Sequence, residues 1–232
     1  MKAGKIIRIV CLVAIIGILG FGIYSANKKT PLSEKVWDER TTVGSMEAEN
    51  YFIIYTDLVC PYCIAFENAI LENEEEFKSY IERNDILVEV KMTDFLYEFG
   101  EAQAINSRYS AVATYCAKNE DKFWDYYAHA VKTLWKDFFK DSGKSGFTAL
   151  NSMGKDFWIS LGKDVGLGET FETCVKNNET IEEVVENTGK VAKAIDGGMP
   201  SFKFNKYSFS GFDMGWGWEY VEYYFDKGLA SK

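Results

Sequence analysis

The chain has 232 residues, 47% hydrophobic and 16% aromatic, enough to bury one sizeable core and far from the composition of a disordered protein. Its formal net charge is −9, and five of its 26 basic residues (Lys2, Lys5, Arg8, Lys28 and Lys29) flank the first apolar run, leaving 21 basic against 35 acidic residues elsewhere. A surface that acidic repels phosphate backbones, so nucleic acid is excluded as a partner.

Lys2, Lys5 and Arg8 precede an uncharged run from Ile9 to Tyr24, the basic and apolar parts of an export signal. Tyr24-Ser25-Ala26 is a poor cleavage site, so residues 1–26 are expected to stay as a signal-anchor that crosses the membrane once and leaves the domain on the extracytoplasmic side. Cys11, at the start of the run, reads as a small apolar membrane residue. Residues 27–49 are polar, contain Pro31 and show no clear period, which predicts a linker.

Tyr51 to Tyr55 is a short aromatic and β-branched run suited to a buried strand. From Pro61 the pattern becomes helical, with Cys63, Phe66, Ile70, Phe77 and Ile81 on one face. Ile86 to Met92 alternates as a strand, with Ile86, Val88, Val90 and Met92 toward the core and Leu87, Glu89 and Lys91 on the other face. A mostly helical stretch follows over residues 101–196. Its apolar faces include Tyr109, Val112 and Cys116, then Phe171 and Cys174, then Val184 and Val191, with Thr188 interrupting the last. Gly143, Gly146, Gly162, Gly166 and Gly168 are expected to mark turns between these helices. Gly197-Gly198-Met199-Pro200 ends them. Ser201 to Asn205 and Tyr207 to Ser210 then alternate about Asn205-Lys206 as a hairpin, and Trp216 to Phe225 closes the chain as an aromatic helix.

Cys60-Pro61-Tyr62-Cys63 falls between a strand and a helix. The N-terminal end of a helix carries partial positive charge and free N–H groups that stabilise a thiolate. Cys60 is therefore the candidate reactive thiol, and Cys63, a turn further in and on the core-facing stripe, the resolving one. Structural zinc would need four ligands, whereas the chain has one histidine, His129, and no second C-x-x-C, so neither a metal nor a cofactor is expected. The bland alternative is a pair of unrelated core cysteines.

Asp57-Leu-Val-Cys60-Pro-Tyr-Cys63 after a strand, Ala117-Lys-Asn-Glu-Asp-Lys-Phe-Trp124 in the helical stretch and Met199-Pro200 opening a late strand together give the chain a resemblance to the DsbA family of the thioredoxin superfamily, from about Tyr51 to Phe225. The resemblance implies an α/β, thioredoxin-like fold with an inserted helical subdomain. Its first half would cover residues 50–100, the insertion 101–196 and the second half 197–228. It also implies a cis Pro200 lying against the cysteine pair, with the Met199 backbone free to pair with an extended substrate. The activity implied is thiol-disulfide exchange, oxidising exported proteins that carry thiols and being reoxidised by a membrane redox partner. Reduction or isomerisation of disulfides would use the same residues. A non-catalytic binding role for Trp216, Trp218, Tyr220, Tyr223 and Tyr224 is the alternative from another class.

The sequence departs from the family at two places. Methionine precedes the late proline where family members more often carry a small or β-branched residue. Ile54 stands six residues before Cys60, where some members have a buried acid, which leaves Asp57 as the local carboxylate, either a proton relay to Cys63 or a helix cap. Cys116 and Cys174 are expected to form a structural disulfide in an oxidising compartment, as similar pairs do in some relatives, or else to be two buried thiols.

Overall fold

The computed structural model describes residues 36, 38–99, 104–142, 144–195 and 197–231. The expected membrane span and Cys11 lie outside them, and among the described residues no helix is long and apolar enough to cross a membrane. The sheet begins earlier than the sequence suggests. A single 3-10 turn, Glu39–Thr41, leads into β1, Thr42–Val43, within the stretch read as a linker. That short strand pairs antiparallel with β3, Ile86–Met92. Two residues carry too little pattern to be recognised in isolation.

The sheet has the order β1-β3-β2-β4-β5, where β2 is Asn50–Thr56, β4 Ser201–Phe204 and β5 Tyr207–Ser210. β2 and β3 run parallel, with Phe52 opposite Val88 and Ile54 opposite Val90. The parallel pair needs a crossover, and two helices supply it. The predicted single helix is broken into α1, Pro61–Glu72, and α2, Glu74–Arg83. The Asn73 side chain donates to the Ala69 carbonyl at 2.8 Å, and Glu74, Glu75 and Glu76 favour a fresh N-terminus just beyond. Phe77 and Ile81 still face the core. β4 and β5 form the hairpin about Asn205-Lys206, and α10, Trp218–Ala230, packs behind it.

Both faces of β3 are covered. Glu89 and Lys91 were read as the outer face, yet both are buried. Lys91 Nζ lies 3.3 Å from the Glu89 carboxylate, which also accepts from the Tyr51 hydroxyl and from the Asp38 N–H at 3.3 Å. The early segment from Asp38 to Val43 thus closes over what would otherwise be a polar face. On the opposite side, rings interlock: Phe52 lies 4.4 Å from Phe225 and Phe66 4.5 Å from Phe202, centroid to centroid. Gly228 of α10 permits this packing, since a Cβ there would fall 2.2 Å from Phe204.

After a short helix α3, Phe95–Glu98, the chain builds the helical insertion. It comprises α4 (Ile105–Asn119), α5 (Phe123–Leu134, continued by a π turn Trp135–Phe139), α6 (Lys144–Asn151), α7 (Lys155–Asp164), α8 (Glu169–Lys176) and α9 (Asn178–Ala192). Asn106 ties it together. Its amide donates to the carbonyls of Leu150, Asn151 and Met153, and its carbonyl accepts from the buried Trp158 indole at 2.7 Å. Two of the expected turn glycines lie instead within helices. A Cβ on Gly146 would meet the Phe138 carbonyl and one on Gly162 the Phe171 ring, so close helix packing selects both. Thr188 is buried in its stripe because its hydroxyl donates back to the Val185 carbonyl.

Candidate active site

β2 ends at Thr56, and the next turn is fixed by Asp57. Its carbonyl accepts from the Cys60 N–H at 2.9 Å, and its carboxylate Oδ1 from the Val59 N–H at 3.0 Å. Cys60 is thereby set as the N-cap of α1 with extended backbone, and Pro61 opens the first turn, where a missing N–H costs nothing. Both cysteines are free thiols. Cys60 keeps a trace of accessible surface, whereas Cys63 has none.

The loop before β4 comes up against this pair. The Met199–Pro200 peptide bond is cis, and the Met199 carbonyl oxygen lies 4.0 Å from the Cys60 sulfur. Gly197, at φ +101°, makes the bend that brings the loop there. Met199 packs on both cysteines, and Tyr62, Phe95, Leu96 and Ile195 complete an apolar collar. Phe99, 62% exposed, packs its ring tilted against Phe95, 5.1 Å between centroids, and extends the collar outward.

Asp57 is wholly buried. Its Oδ2 accepts from the Leu96 N–H at 2.9 Å and from the Ser107 hydroxyl at 2.6 Å, so the carboxylate joins the cysteine loop to α3 and to the first turn of α4. It does not cap α1, whose N-cap makes no side-chain hydrogen bond. Burial pushes its pKa up to about 6 against the pull of its three donors. Nearby, Arg108 pairs with Asp94 at 3.0 Å and Glu98 at 2.5 Å and stacks on the Tyr97 ring, which holds α3 in place. The Cys63 thiol is raised well above its usual value, first by burial, then by the Cys60 sulfur beside it, while the Asp57 backbone N–H opposes the shift.

One buried carboxyl near the pair is not marked out by the sequence. Glu67 lies one helical turn beyond Cys63 on the same face of α1, and it is buried. Its pKa is pushed up to about 7 by burial, against the lowering effect of Tyr127 and Thr56, whose hydroxyls lie beside it. None of Glu67 Oε1, Thr56 Oγ1 and the Tyr127 hydroxyl has a well-formed hydrogen bond. The i+4 spacing from Cys63 is the signal that could have found it.

Of the other candidates, Cys116 and Cys174 are joined, α4 to α8, in the insertion. His129 is a surface residue whose Nε2 lies 3.2 Å from Asp164. Among the described residues, no group of three or more His, Cys, Asp or Glu is placed to hold a metal ion. Trp216 stacks on Tyr220 at 4.3 Å on the closing helix, where Tyr223 is exposed.

A family model described as thioredoxin matches residues 37–212. No curated protein matches the chain. Among solved structures the chain is similar to alpha-DsbA1 of Wolbachia pipientis, at 12% identity and a TM-score of 0.56, over 87% of this chain and 97% of that one. It is similar to a periplasmic thioredoxin-like protein of Salmonella enterica serovar Typhimurium, at 14% identity and 0.54, over 87% and 98%. The thiol-disulfide exchange protein alpha-DsbA2 of Wolbachia pipientis aligns at 16% identity and 0.53, over 84% and 90%. At such identities the likeness is one of fold.

Proposed function

The chain belongs to the thioredoxin family, and we propose that it is a DsbA-like protein disulfide oxidoreductase that oxidises the cysteines of exported proteins by disulfide exchange at Cys60 and Cys63. The observation that carries this reading is the asymmetry of the pair. Cys60 lies at the mouth beside the Met199 carbonyl and an apolar collar, and Cys63 is sealed behind it. A substrate thiolate attacks Cys60 Sγ of the disulfide form, the Cys60–Cys63 bond breaks, and Cys63 leaves with the electron pair. A second substrate thiolate then attacks the substrate sulfur of the mixed disulfide and releases Cys60. The substrate dithiol is oxidised by two electrons and the pair reduced by two.

The Met199 backbone is suited to hold an extended substrate segment while the collar takes its apolar side chains. Residues 1–26 would anchor the domain on the extracytoplasmic side, where a membrane redox partner reoxidises the pair. The periplasmic and DsbA-type names of the structural relatives support that setting. Oxidised protein mixed with a reduced two-cysteine peptide should yield the peptide disulfide. A reduction potential of roughly −120 mV would fit an oxidase, whereas one of roughly −270 mV would turn the reading to reduction. Protease added to spheroplasts should digest the domain, and full protection would overturn the placement.

A further inference from the structure

A cavity of about 690 Å³, within the size range of small-molecule sites, lies between α1, α2 and β3 on one side and α5 of the insertion on the other. Its walls are mostly apolar, with Ile54, Ile70, Phe77, Val88, Val90 and Trp124 among them. The residues of the reactive mouth, Cys60, Met199, Phe95 and Leu96, do not line it. Its polar residues divide by depth. Glu74, Lys78, Asp125 and Lys132 are exposed and form a rim, with His129 half-buried beside them, whereas Glu67 and Tyr127 are 3% and 2% exposed and lie at the inner end.

The inner pair is where a ligand is called for. Glu67 Oε1 and the Tyr127 hydroxyl are both buried without a well-formed hydrogen bond, a costly state in an apolar shaft. The contrast with Asp57, whose carboxylate accepts from Val59, Leu96 and Ser107, is plain. One group satisfies both inner atoms: a hydroxyl donates to the carboxyl oxygen and accepts from the phenol. An ammonium donates only, and it would carry a charge down the shaft. A carboxylate would meet Glu67 as like charge. A bare hydrocarbon would cover both atoms and pair with neither. The rim does not select an ion either. Glu74 is paired with Lys78 at 2.6 Å, Asp125 with Lys122 at 2.6 Å and His129 with Asp164 at 3.2 Å, and the charge of the exposed Lys132 is met by water.

We propose that this cavity binds a neutral, largely apolar molecule carrying one hydroxyl. The hydroxyl sits at the inner end, donating to Glu67 Oε1 and accepting from the Tyr127 hydroxyl, and the apolar body lies along Ile70, Val88 and Trp124. The Trp124 indole stands edge-on to the Tyr127 ring at 5.9 Å, so an aromatic wall adjoins the polar end and suits a ring that bears the hydroxyl. The site stands apart from the disulfide-exchange reading and does not rest on it.

The full chain, with isoleucine and valine methyls labelled, can be titrated by NMR with para-propylphenol, its methyl ether, propylbenzene and propylamine. At pH 8, above the value of about 7 to which burial raises Glu67, the carboxylate accepts only, so the ether can take the Tyr127 hydrogen bond but cannot satisfy Glu67. The phenol should bind about tenfold more tightly than the ether or propylbenzene, with nuclear Overhauser contacts to Ile70 and Val88. Glu67→Leu should reduce the phenol to the affinity of propylbenzene. Val165→Trp, at a half-buried position of the wall that touches neither polar atom, should abolish binding of all three aromatic probes and keeps the proposal testable if Glu67→Leu folds poorly. Equal affinity for phenol and ether, preference for propylamine, contacts only to Met199 at the reactive mouth, or methyl shifts indifferent to every probe, which would mean a cavity for water alone, overturns the assignment.

Discussion

The chain uses cysteine in two ways, and the described structure sets them side by side. Cys60 and Cys63 are three positions apart at the start of α1, free, and unequal in access. Cys116 and Cys174 are 58 positions apart, in α4 and α8, and joined. Surroundings account for the difference. The first pair has a helix N-terminus in front, a backbone carbonyl from a distant loop beside it and carboxyls behind. The second lies between packed helices, where its bond closes a loop holding α5, α6 and α7. A thiol pair reacts when one sulfur is presented and the other withheld; a pair that only shortens the unfolded chain needs no such asymmetry.

The comparison breaks most sharply at Cys60. Cys60→Ser should reduce disulfide exchange with a dithiol peptide to the uncatalysed background, and Cys63→Ser, lacking the buried partner, should accumulate a mixed disulfide on Cys60 visible by mass. Exchange surviving in Cys60→Ser would place the chemistry elsewhere. In the reduced protein at neutral pH, iodoacetamide should modify Cys60 well before Cys63, because burial and the neighbouring sulfur hold the Cys63 thiol protonated.

The bridge should show the converse behaviour. Cys116→Ala with Cys174→Ala should leave the exchange rate within about twofold of wild type. By the chain-entropy model, loss of a loop that long costs roughly 4 kcal/mol, and measured losses are typically about 2–4 kcal/mol. For a domain of this size that is a fall in Tm of roughly 5–15 °C. A double variant that melts like the wild type would deny the bridge its structural part, and one that loses exchange would join the two regions functionally.

How far each region can be read from sequence follows the same division. The strand, the C-x-x-C and the proline that opens α1 are adjacent in the chain, so local chemistry exposes them. The hairpin about Asn205-Lys206 is legible for the same reason. Glu67 is not, because on an amphipathic helix a glutamate reads as solvated, and its burial is made by Tyr127, sixty positions away in the insertion. Glu89 and Lys91 were misread for a related reason: the segment that covers them, Asp38 to Val43, has no pattern of its own. The break at Asn73 falls in an unbroken apolar period and is marked by one side-chain hydrogen bond and the acidic first turn that follows. Periodicity sees which face of an element is apolar, and it is blind to what a distant element lays over the other face.

A smaller effect separates the two regions by pH. The bridge has no titrating thiol, whereas the reactive pair lies among carboxyls whose folded pKa values are raised, Glu67 to about 7 and Asp57 to about 6. Take Glu67, whose ordinary value is 4.5. Between those two values the folded protein binds more protons than the unfolded chain, so stability is fully present below about pH 4.5 and is lost as pH rises through about 7. Glutamine has the same shape and no such titration. The stability of Glu67→Gln relative to wild type should therefore rise by about 1–3 kcal/mol between pH 5 and pH 8, measured as the difference in urea unfolding free energy. Asp57 titrates in both proteins and cancels from the difference, and the Cys63 thiol stays protonated across this window. A difference that is flat from pH 5 to pH 8 would mean that the Glu67 carboxyl meets water or a donor good enough to remove its burial penalty, and the rear of the site would then be no more acid-tuned than the bridge.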